Sequence, residues 1–275
     1  MKNIFRFALL FLLPVLILWS VPVKGEAVLR IGDASGGSAL NPLRRALVKL
    51  GSEQKGDLTA GEYSIVRMSA AEALKKFASG ELELVVLEMR DVPTKLSGAV
   101  QIPFAAEALV CYTGAGNPLQ SLSIRQLKEI WAEDRPAWRK YNGEFNDIHR
   151  LGLDFHSGGF VEARFLGGVL RSSGVYRSKN IRNIWLFCSA SALLCAPWSA
   201  ERPSDVFPLA IEGVKPSEQT VVSGKYPLNL RYILLGKSPL SPEAGKFVKL
   251  LSAPEYITII RDCGLIPMIK SGGKP

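Results

Sequence analysis

The sequence predicts an α/β fold, and three observations support that prediction. Helix-like and strand-like runs alternate along most of the 275 residues, as they do in proteins whose helices cover a largely parallel sheet. The segment 82–87 is an almost continuous apolar run, which is typical of a strand buried on both faces. Ser123 with Gln126 three residues later forms a capping-box pattern, which indicates where a helix begins.

The first half of the chain contains the clearest alternation. We expect strands at 27–31, 64–68, 82–87 and 106–113. We expect helices at 40–50, at 70–79 with Gly80 as the terminating residue, and from Ser123 to Trp131. The segment 114–118, Gly-Ala-Gly-Asn-Pro, has the composition of a turn.

The second half of the chain is less regular. A helix-like run at 160–170 follows Ser157-Gly158-Gly159, and we expect 174–208 to be irregular around an apolar patch at 184–197. Strands are expected at 209–214 and 230–235, and helices at 242–251 and 254–262.

The N-terminus reads as an export signal. Lys2 and Arg6 precede an apolar run at 7–21, and the small residues Val23 and Gly25 suit cleavage before residue 26. An uncleaved membrane anchor is the alternative, because the run is near the shortest length that spans a bilayer. We expect cleavage, with residues 1–25 as the signal peptide, and a periplasmic mature chain.

The charge of the chain favours a small anionic ligand over nucleic acid. Removal of residues 1–25 takes away Lys2, Arg6 and Lys24 and lowers the formal net charge from +9 to +6. The remaining basic residues are scattered, and aromatic residues are not interleaved with them. We therefore expect no nucleic-acid partner.

The cysteines and histidines argue against a zinc site, and we expect no metal and no cofactor. Cys111, Cys188, Cys195 and Cys263 show no Cys-x-x-Cys spacing, and the chain has only two histidines. Cys188 and Cys195 are close enough in sequence for a local disulfide in an oxidising compartment. Two buried thiols are the alternative, and the sequence does not choose between them.

The turn Ser157-Gly158-Gly159 is a candidate anion site. Where a glycine-rich turn opens a helix, backbone N–H groups without intrahelical partners and the helix dipole both attract an oxyanion. The alternative is an ordinary turn and helix cap, which uses the same residue types.

Several segments together resemble one protein family. They are 119–138 (LQSLSIRQLKEIWAEDRPAW), 211–230 (IEGVKPSEQTVVSGKYPLNL) and the closing 252–267, and Ser157-Gly158-Gly159 falls where the family has Ser-Gly-Thr. In this order they resemble the phosphate-type substrate-binding proteins of ABC transporters. The resemblance implies a type II periplasmic binding protein fold, whose two α/β lobes close over a ligand. The lobes would comprise 26–110 with 215–275, and 111–214.

The resemblance also implies a ligand shell. Its members would contribute a hydroxyl, a backbone N–H or a carboxylate to the anion, and they are Ser38, Ala39, Ser69, Glu88, His156, Ser157, Gly158 and Gly159. In this family a carboxylate like that of Glu88 accepts the proton of monohydrogen phosphate and repels sulfate. Ser38 and Ser69 could instead be helix caps, and Glu88 could face solvent beside Arg90.

The chain departs from the family pattern at two positions. Leu153 stands where the family has an arginine, and Gly159 replaces the threonine. A guanidinium is a bidentate phosphate ligand, so its loss should weaken binding. His156 could substitute in part, or could be a surface or capping histidine. Arg67, Arg90 and Arg164 are candidate replacement cations.

The expected function is binding rather than catalysis. We expect a monomer that binds phosphate or a similar oxyanion and delivers it to the membrane component of an ABC transporter. An enzyme is disfavoured because His156 is adjacent to Ser157 and the chain has no Gly-x-Ser-x-Gly elbow. The alternative is a regulatory or sensory protein that keeps the fold and has lost or changed the anion site.

Overall fold

The computed structural model describes most of the chain beyond the expected signal peptide. The described residues are 29–36, 39–53, 63–94, 96–141, 143–144, 147–154, 164–166, 174–198 and 202–269. The expected signal peptide, and the candidate ligands Ser38, His156, Ser157, Gly158 and Gly159, lie outside these ranges.

Twelve strands and seven helices are defined within the described residues. The strands are β1 (Leu29–Asp33), β2 (Tyr63–Arg67), β3 (Leu84–Glu88), β4 (Ala99–Gly114), β5 (Ser121–Leu122), β6 (His149–Leu153), β7 (Val175–Ser178), β8 (Ala192–Pro197), β9 (Val206–Pro208), β10 (Ala210–Ile211), β11 (Asn229–Lys237) and β12 (Ile266–Pro267). The helices are α1 (Leu40–Glu53), α2 (Ala70–Ser79), α3 (Ile124–Ala132), α4 (Ile181–Trp185), α5 (Glu218–Val222), α6 (Pro242–Leu251) and α7 (Pro254–Asp262).

Ten of the strands form one mixed sheet. Along the sheet the order is β2-β1-β3-β11-β4-β8-β6-β7, and β9 and β12 also pair with β4. β1 pairs in parallel with β2 and β3, so the carboxyl ends of these three strands meet at one edge. β11 is antiparallel to both β3 and β4.

Local signals explain where the helices begin and end. The Ser69 side chain accepts the Glu72 N–H at the start of α2, and Gly80 ends that helix with φ of 86°. Ser123 and Gln126 form the predicted capping box of α3. Proline occupies the first position of α6 and of α7, where its missing N–H costs no hydrogen bond.

The long strand β4 runs between two hydrophobic cores. Phe104 and Ala105 belong to the first core, which α1, α6 and α7 cover. Ala106 and the residues from Ala108 to Tyr112 belong to the second core, with Trp131 and Trp138. A third cluster, which includes Val85 and Phe77, covers the other face of β3 beneath α2. The lobe limits 26–110 with 215–275, and 111–214, stay a prediction.

The sequence prediction was wrong for the stretch 174–208. It contains β7, α4, β8 and β9 in place of irregular chain. Their strand partners lie far away in sequence, because β8 pairs with β4 and β7 pairs with β6. The apolar patch is part of the second core, since Ala192, Leu193 and Leu194 are fully buried. The apolar pattern within one segment does not reveal strands whose partners are this distant in sequence.

Other boundaries also differ from the prediction. The strand expected at 209–214 is only Ala210–Ile211, because Glu212 and Gly213 have φ of 50° and 75° and turn the chain. β4 begins seven residues before the expected 106. Of the helix expected at 160–170, residues 164–166 are described and they are helical.

Two further expectations bear on chemistry and location. The cysteines are present as thiols, so Cys188 and Cys195 are not joined in this structure. Within the described part of the chain, no helix combines the length and apolarity needed to cross a bilayer.

Candidate functional site

Polar side chains gather where β1, β2 and β3 end. Asp33 is the last residue of β1, Glu88 is the last residue of β3, and Ser69 follows β2. The Met68 N–H donates to the Asp33 carbonyl oxygen at 3.0 Å, which ties the end of β2 to the end of β1. We call Asp33, Ser69 and Glu88 the carboxylate edge. Binding sites of α/β proteins commonly lie at the carboxyl ends of strands.

Asp33 is a buried carboxylate with one oxygen unused. Its side chain is fully buried, and Oδ1 accepts from the Ser35 N–H at 3.0 Å and from the Ser35 hydroxyl at 2.5 Å. Oδ2 is also buried and has no hydrogen-bond partner among the described residues. Buried carboxylate oxygens nearly always have a donor, so this one marks a position where a donor from outside the described chain would be stabilised.

Asp33 and Glu88 share one face of the sheet. In the parallel pairing Asp33 is opposite Val86, and Glu88 lies two residues beyond Val86. Because side chains alternate along a strand, all three point to the side of the first core. The two carboxylates therefore lie on one face of the sheet, at the carboxyl ends of neighbouring strands.

Arg164 connects the carboxylate edge to the turn before α1. Its guanidinium forms an ion pair with Glu88, which is only 2% exposed. The same guanidinium donates from Nη1 to the Ser35 carbonyl oxygen at 3.0 Å. Arg90 approaches the other Glu88 oxygen at 2.8 Å and is largely exposed. The buried carboxylate thus lies between one partly buried cation and one exposed cation.

Gly36 gives Arg164 its space. Its φ is +73°, and a Cβ at this position would lie 2.5 Å from Arg164 Nη1. Glycine is therefore required both by the backbone conformation and by the guanidinium beside it. The turn from Asp33 to Gly36 therefore leaves room for the Arg164 side chain.

Arg164 comes from a segment between the two cores. Leu166 is buried in the second core, and Phe165 packs against both the first and the second core. The contact of Arg164 with Glu88 and Ser35 therefore joins chain that packs on the second core to strands of the first core. The residues on either side, 155–163 and 167–173, lie outside the described residues.

Three predicted ligands lie in the described part of the chain. Ala39 is buried, and its N–H donates to the Ser35 hydroxyl at 3.3 Å, so an anion would compete with that bond. Ser69 caps α2, as the alternative for that residue states, but an accepting hydroxyl still has a hydrogen to donate. Glu88 is buried rather than facing solvent, and it does pair with Arg90.

The position at which the family has an arginine is occupied in this chain by a buried core residue. Leu153 is 4% exposed and belongs to the second core. Of the candidate replacement cations, Arg164 and Arg90 contact Glu88, while Arg67 is exposed on β2.

Sequence reasoning missed Asp33, Ser35 and Arg177. The Nη1 of Arg177 donates to the Leu153 carbonyl oxygen at 2.8 Å. An acidic residue that directly ends an apolar strand and precedes Ser-Gly-Gly was the available signal.

The described residues contain no group of three or more histidine, cysteine, aspartate or glutamate side chains that could hold a metal ion. Of the two carboxylates of the carboxylate edge, Glu88 forms an ion pair with Arg164, whose guanidinium occupies the position that a cation would take there. The arrangement is thus suited to an anion with at least one hydrogen-bond donor.

Comparison with solved structures gives three informative likenesses. A structure of a possible phosphate binding protein from Planctomyces limnophilus aligns with a TM-score of 0.67 and 19% identity, covering 88% of this chain and 93% of that one. PstS from Borrelia burgdorferi aligns with a TM-score of 0.64 and 14% identity over 88% and 99% of the two chains. An ABC-type phosphate transport receptor from Vibrio cholerae gives 0.59 and 14% over 86% and 99%.

Comparison by sequence finds no match, either to a family model or to a curated protein. Identities of 14% to 19% concern the fold alone. The alignments cover nearly the whole of each solved chain, so the likeness extends to the complete architecture. They confirm the fold class expected from the sequence: the chain has the two-lobed α/β fold of type II periplasmic binding proteins.

Proposed function

We propose that this chain is an exported binding protein for phosphate or a similar small oxyanion, and not an enzyme. The observation that carries the proposal is the guanidinium of Arg164 paired with the buried Glu88 carboxylate, at the edge of the sheet where one buried oxygen of Asp33 has no donor among the described residues. The solved structures with the same fold are described as phosphate receptors and a possible phosphate binding protein.

The arginine supplies the attraction. Arg164 uses Nη1 for the Ser35 carbonyl and Nη2 for Glu88, and a guanidinium has five N–H donors. The remaining donors are available to an oxyanion, and charge-assisted bonds of this type are about twice as strong as neutral ones. Arg164 would take over the role of the arginine that the family has in place of Leu153.

The carboxylates supply selectivity. An ionised carboxylate only accepts hydrogen bonds, so Asp33 Oδ2 and Glu88 repel an oxyanion that has no hydrogen. Monohydrogen phosphate and arsenate have an O–H group to donate, and sulfate at neutral pH has none. Because Asp33 is fully buried, little solvent screens this repulsion. We therefore expect hydrogen-bearing oxyanions to be preferred.

We propose that the rest of the ligand shell contributes to the same site. Ala39 and Ser69 lie at the starts of α1 and α2, where N–H groups and helix dipoles favour an anion, and Ser38 directly precedes Ala39 in the sequence. His156, Ser157, Gly158 and Gly159 precede the segment that contains Arg164 and would close over the anion from the other lobe. A monomeric, periplasmic receptor of this kind would deliver its ligand to the membrane component of an ABC transporter.

Ligand titration tests the proposal. Purified chain lacking residues 1–25 is titrated by calorimetry with phosphate, arsenate, sulfate and molybdate, and thermal shifts are recorded at millimolar concentrations. We expect phosphate and arsenate to stabilise the fold, because ligand far above its dissociation constant must do so. Ser157→Asp should abolish binding by adding a like charge. Absence of a shift with every oxyanion contradicts the proposal.

Asp33→Asn is the sharper variant for selectivity. It removes the buried negative charge and keeps the side-chain shape, so sulfate should bind more strongly relative to phosphate. Asp91→Asn is the matched control, since Asp91 is exposed in the short helical turn that follows β3. An unchanged ratio of the two affinities in Asp33→Asn would show that Asp33 does not face the ligand.

A second candidate function rests on the Glu88 contacts. The two arginines already neutralise this buried carboxylate without an anion, as expected of a protein that keeps the fold but has lost the ligand and serves regulation or sensing. The titration separates the two functions, because phosphate binding that Ser157→Asp abolishes excludes the second. A folded chain that no oxyanion stabilises would favour the second over the first.

A further inference from the structure

Cys111 and Cys195 face each other in the second core. They are register partners on the adjacent antiparallel strands β4 and β8. Their Sγ atoms are 3.2 Å apart, and the two residues are 0% and 1% exposed. Two thiols at this separation need little movement to form a bond between the sulfur atoms.

The strand register favours such a bond. Trp198 N–H donates to the Ala108 carbonyl oxygen at 2.9 Å, so 108 and 198 form a hydrogen-bonded pair. Hydrogen-bonded and non-hydrogen-bonded pairs alternate, which makes 111 and 195, three steps away, a non-hydrogen-bonded pair. The hydrogen bond of the Cys111 carbonyl oxygen supports this assignment. It accepts from the Leu209 N–H at 2.8 Å, on the edge of β4 that faces away from β8. Cα atoms in such pairs lie about 4.5 Å apart, within the range that disulfides span.

Cys188 lies beside a different part of β4, next to Gly114. Ser189 O accepts the Gly114 N–H at 3.0 Å, and a Cβ on Gly114 would collide with the Cys188 carbonyl oxygen. Gly114 is three residues beyond Cys111, a distance of about 10 Å along a strand. Disulfides rarely join Cα atoms more than about 7 Å apart, so a bond from Cys188 to Cys195 would require the backbone to move.

We propose that Cys111 and Cys195 are a site of oxidative modification, in which they form a disulfide that cross-links β4 to β8. The reaction is thiol–disulfide exchange with a small disulfide such as oxidised glutathione. The two cysteine thiols lose two protons and two electrons and form one S–S bond. The oxidant's own S–S bond breaks, and it leaves as two thiols.

Burial sets when the exchange takes place. Neither sulfur is accessible in the folded chain, so the bond forms while the chain folds, before β4 and β8 are covered. The compartment that export would provide is oxidising, but the chemistry needs only an oxidant during folding.

Refolding in a glutathione redox buffer tests the proposal. The chain is unfolded with reductant, refolded with reduced and oxidised glutathione, alkylated in denaturant and digested without reduction for mass spectrometry. We expect the peptide of Cys111 to be linked to the peptide of Cys195, with Cys188 and Cys263 alkylated. Trypsin leaves Cys188 and Cys195 in one peptide, so the same experiment is run on Cys188→Ser.

Two variants complete the assignment. Cys188→Ser/Cys263→Ser should keep the link and show a urea midpoint higher by on the order of 1 M without reductant than with it, because the bond closes a long loop. Cys195→Ser should lose the link to Cys111. A bond between Cys188 and Cys195, or alkylation of Cys111 and Cys195 after oxidative refolding, would overturn the proposal. These outcomes do not depend on phosphate binding.

Discussion

Two arginines of this chain, Arg150 and Arg164, are charged groups in low-exposure surroundings with opposite kinds of partner. Arg150 lies on β6, is 2% exposed, and contacts the end of α3. Its guanidinium donates to the backbone carbonyl oxygens of Ile130, Trp131, Glu133 and Asp134. Ile130 and Trp131 belong to the last turn of α3, whose carbonyl oxygens have no partner within the helix, and Glu133 and Asp134 follow the helix directly. Arg150 therefore serves as a helix cap supplied by a strand.

Among the described residues, Arg164 contacts one carbonyl oxygen and one carboxylate, and its side chain is 25% exposed. Its partner Ser35 lies in the turn after β1 and its partner Glu88 ends β3, both strands of the first core, while its neighbour Leu166 packs in the second core. The comparison teaches that burial of an arginine does not identify its role. Several hydrogen bonds to backbone carbonyls indicate a structural role, whereas a buried carboxylate partner with guanidinium donors left over indicates a ligand.

Removal of Arg150 should have the largest effect on stability. Arg150→Met leaves the carbonyls at the end of α3 without donors, and we expect a loss of about 3 kcal/mol in the free energy of unfolding. Urea unfolding measures it. Arg125→Met on the same helix is the control, because Arg125 is 85% exposed and should cost less than about 0.5 kcal/mol. Equal losses in both variants would contradict the capping role.

Removal of Arg164 should instead reduce ligand affinity. Arg164→Met deletes a charge-assisted contact worth about 1.5–3 kcal/mol, so phosphate should bind about 10- to 100-fold more weakly by calorimetry. Arg90→Met is the control, since Arg90 is 69% exposed and pairs with the same carboxylate. Unchanged affinity in Arg164→Met would rule out Arg164 as the anion's cation.

A double variant at Arg164 and Glu88 distinguishes the effect of Arg164 on phosphate affinity from its effect on the stability of the fold. Arg164→Met leaves the buried Glu88 with Arg90 as its one described cation, which destabilises the fold. Adding Glu88→Gln removes that charge, so the double variant should regain stability in urea while its affinity for phosphate stays low. Such a split would identify Arg164 as a ligand residue whose structural cost comes from Glu88.

A smaller effect should come from Gly36. Gly36→Ala places a Cβ 2.5 Å from Arg164 Nη1 at a φ of +73°, so it should lose about 1 kcal/mol and weaken phosphate binding several-fold. Gly98→Ala is the matched control, because its φ is +71° and no atom lies within 4 Å of the added Cβ. Both variants should lose stability, and only Gly36→Ala should lose affinity. Loss of affinity in both would mean that strain alone is responsible.

The smallest effect should come from an exposed ion pair between α1 and α7. Lys49 Nζ is 2.6 Å from Glu255 Oε1, and this hydrogen bond lowers the pKa of Glu255 below its usual 4.5. A lowered carboxyl pKa adds stability that is present above the usual pKa and is lost as pH falls through the folded-state pKa. The difference in urea midpoint between wild type and Glu255→Gln should therefore be small at pH 7 and shrink further as pH falls below 4.5. A difference that grows on acidification would contradict this sign.

Local signals predicted the helices well and the far strands poorly. The bounds expected for α2, α6 and α7 agree with the structure because serine caps, Pro242, Pro254 and Gly80 act within one turn. The strands in 174–208 were missed because their pairing depends on β4 and β6, more than twenty residues away. A hydrogen bond between distant strands leaves no periodic trace in either segment alone.

The candidate site was predictable to the same extent. Glu88 followed from its position after a buried strand, and the structure confirms that it ends β3. Asp33 was missed because a single acidic residue at a strand end is common, and only burial of its Oδ2 distinguishes it. Arg164 was one of three candidate cations, and the choice required a contact across about 130 residues with Ser35.

The sequence by itself determined the α/β class, the starts of most helices and the resemblance to phosphate-type binding proteins. These depend on apolar periodicity and on capping residues, which act over a few neighbouring positions. Only the tertiary structure decided that Leu153 packs in a core, that Arg164 pairs with Glu88 and that Cys111 faces Cys195. Each of these depends on which distant segments touch, because burial and pairing are properties of the folded chain and not of any segment within it.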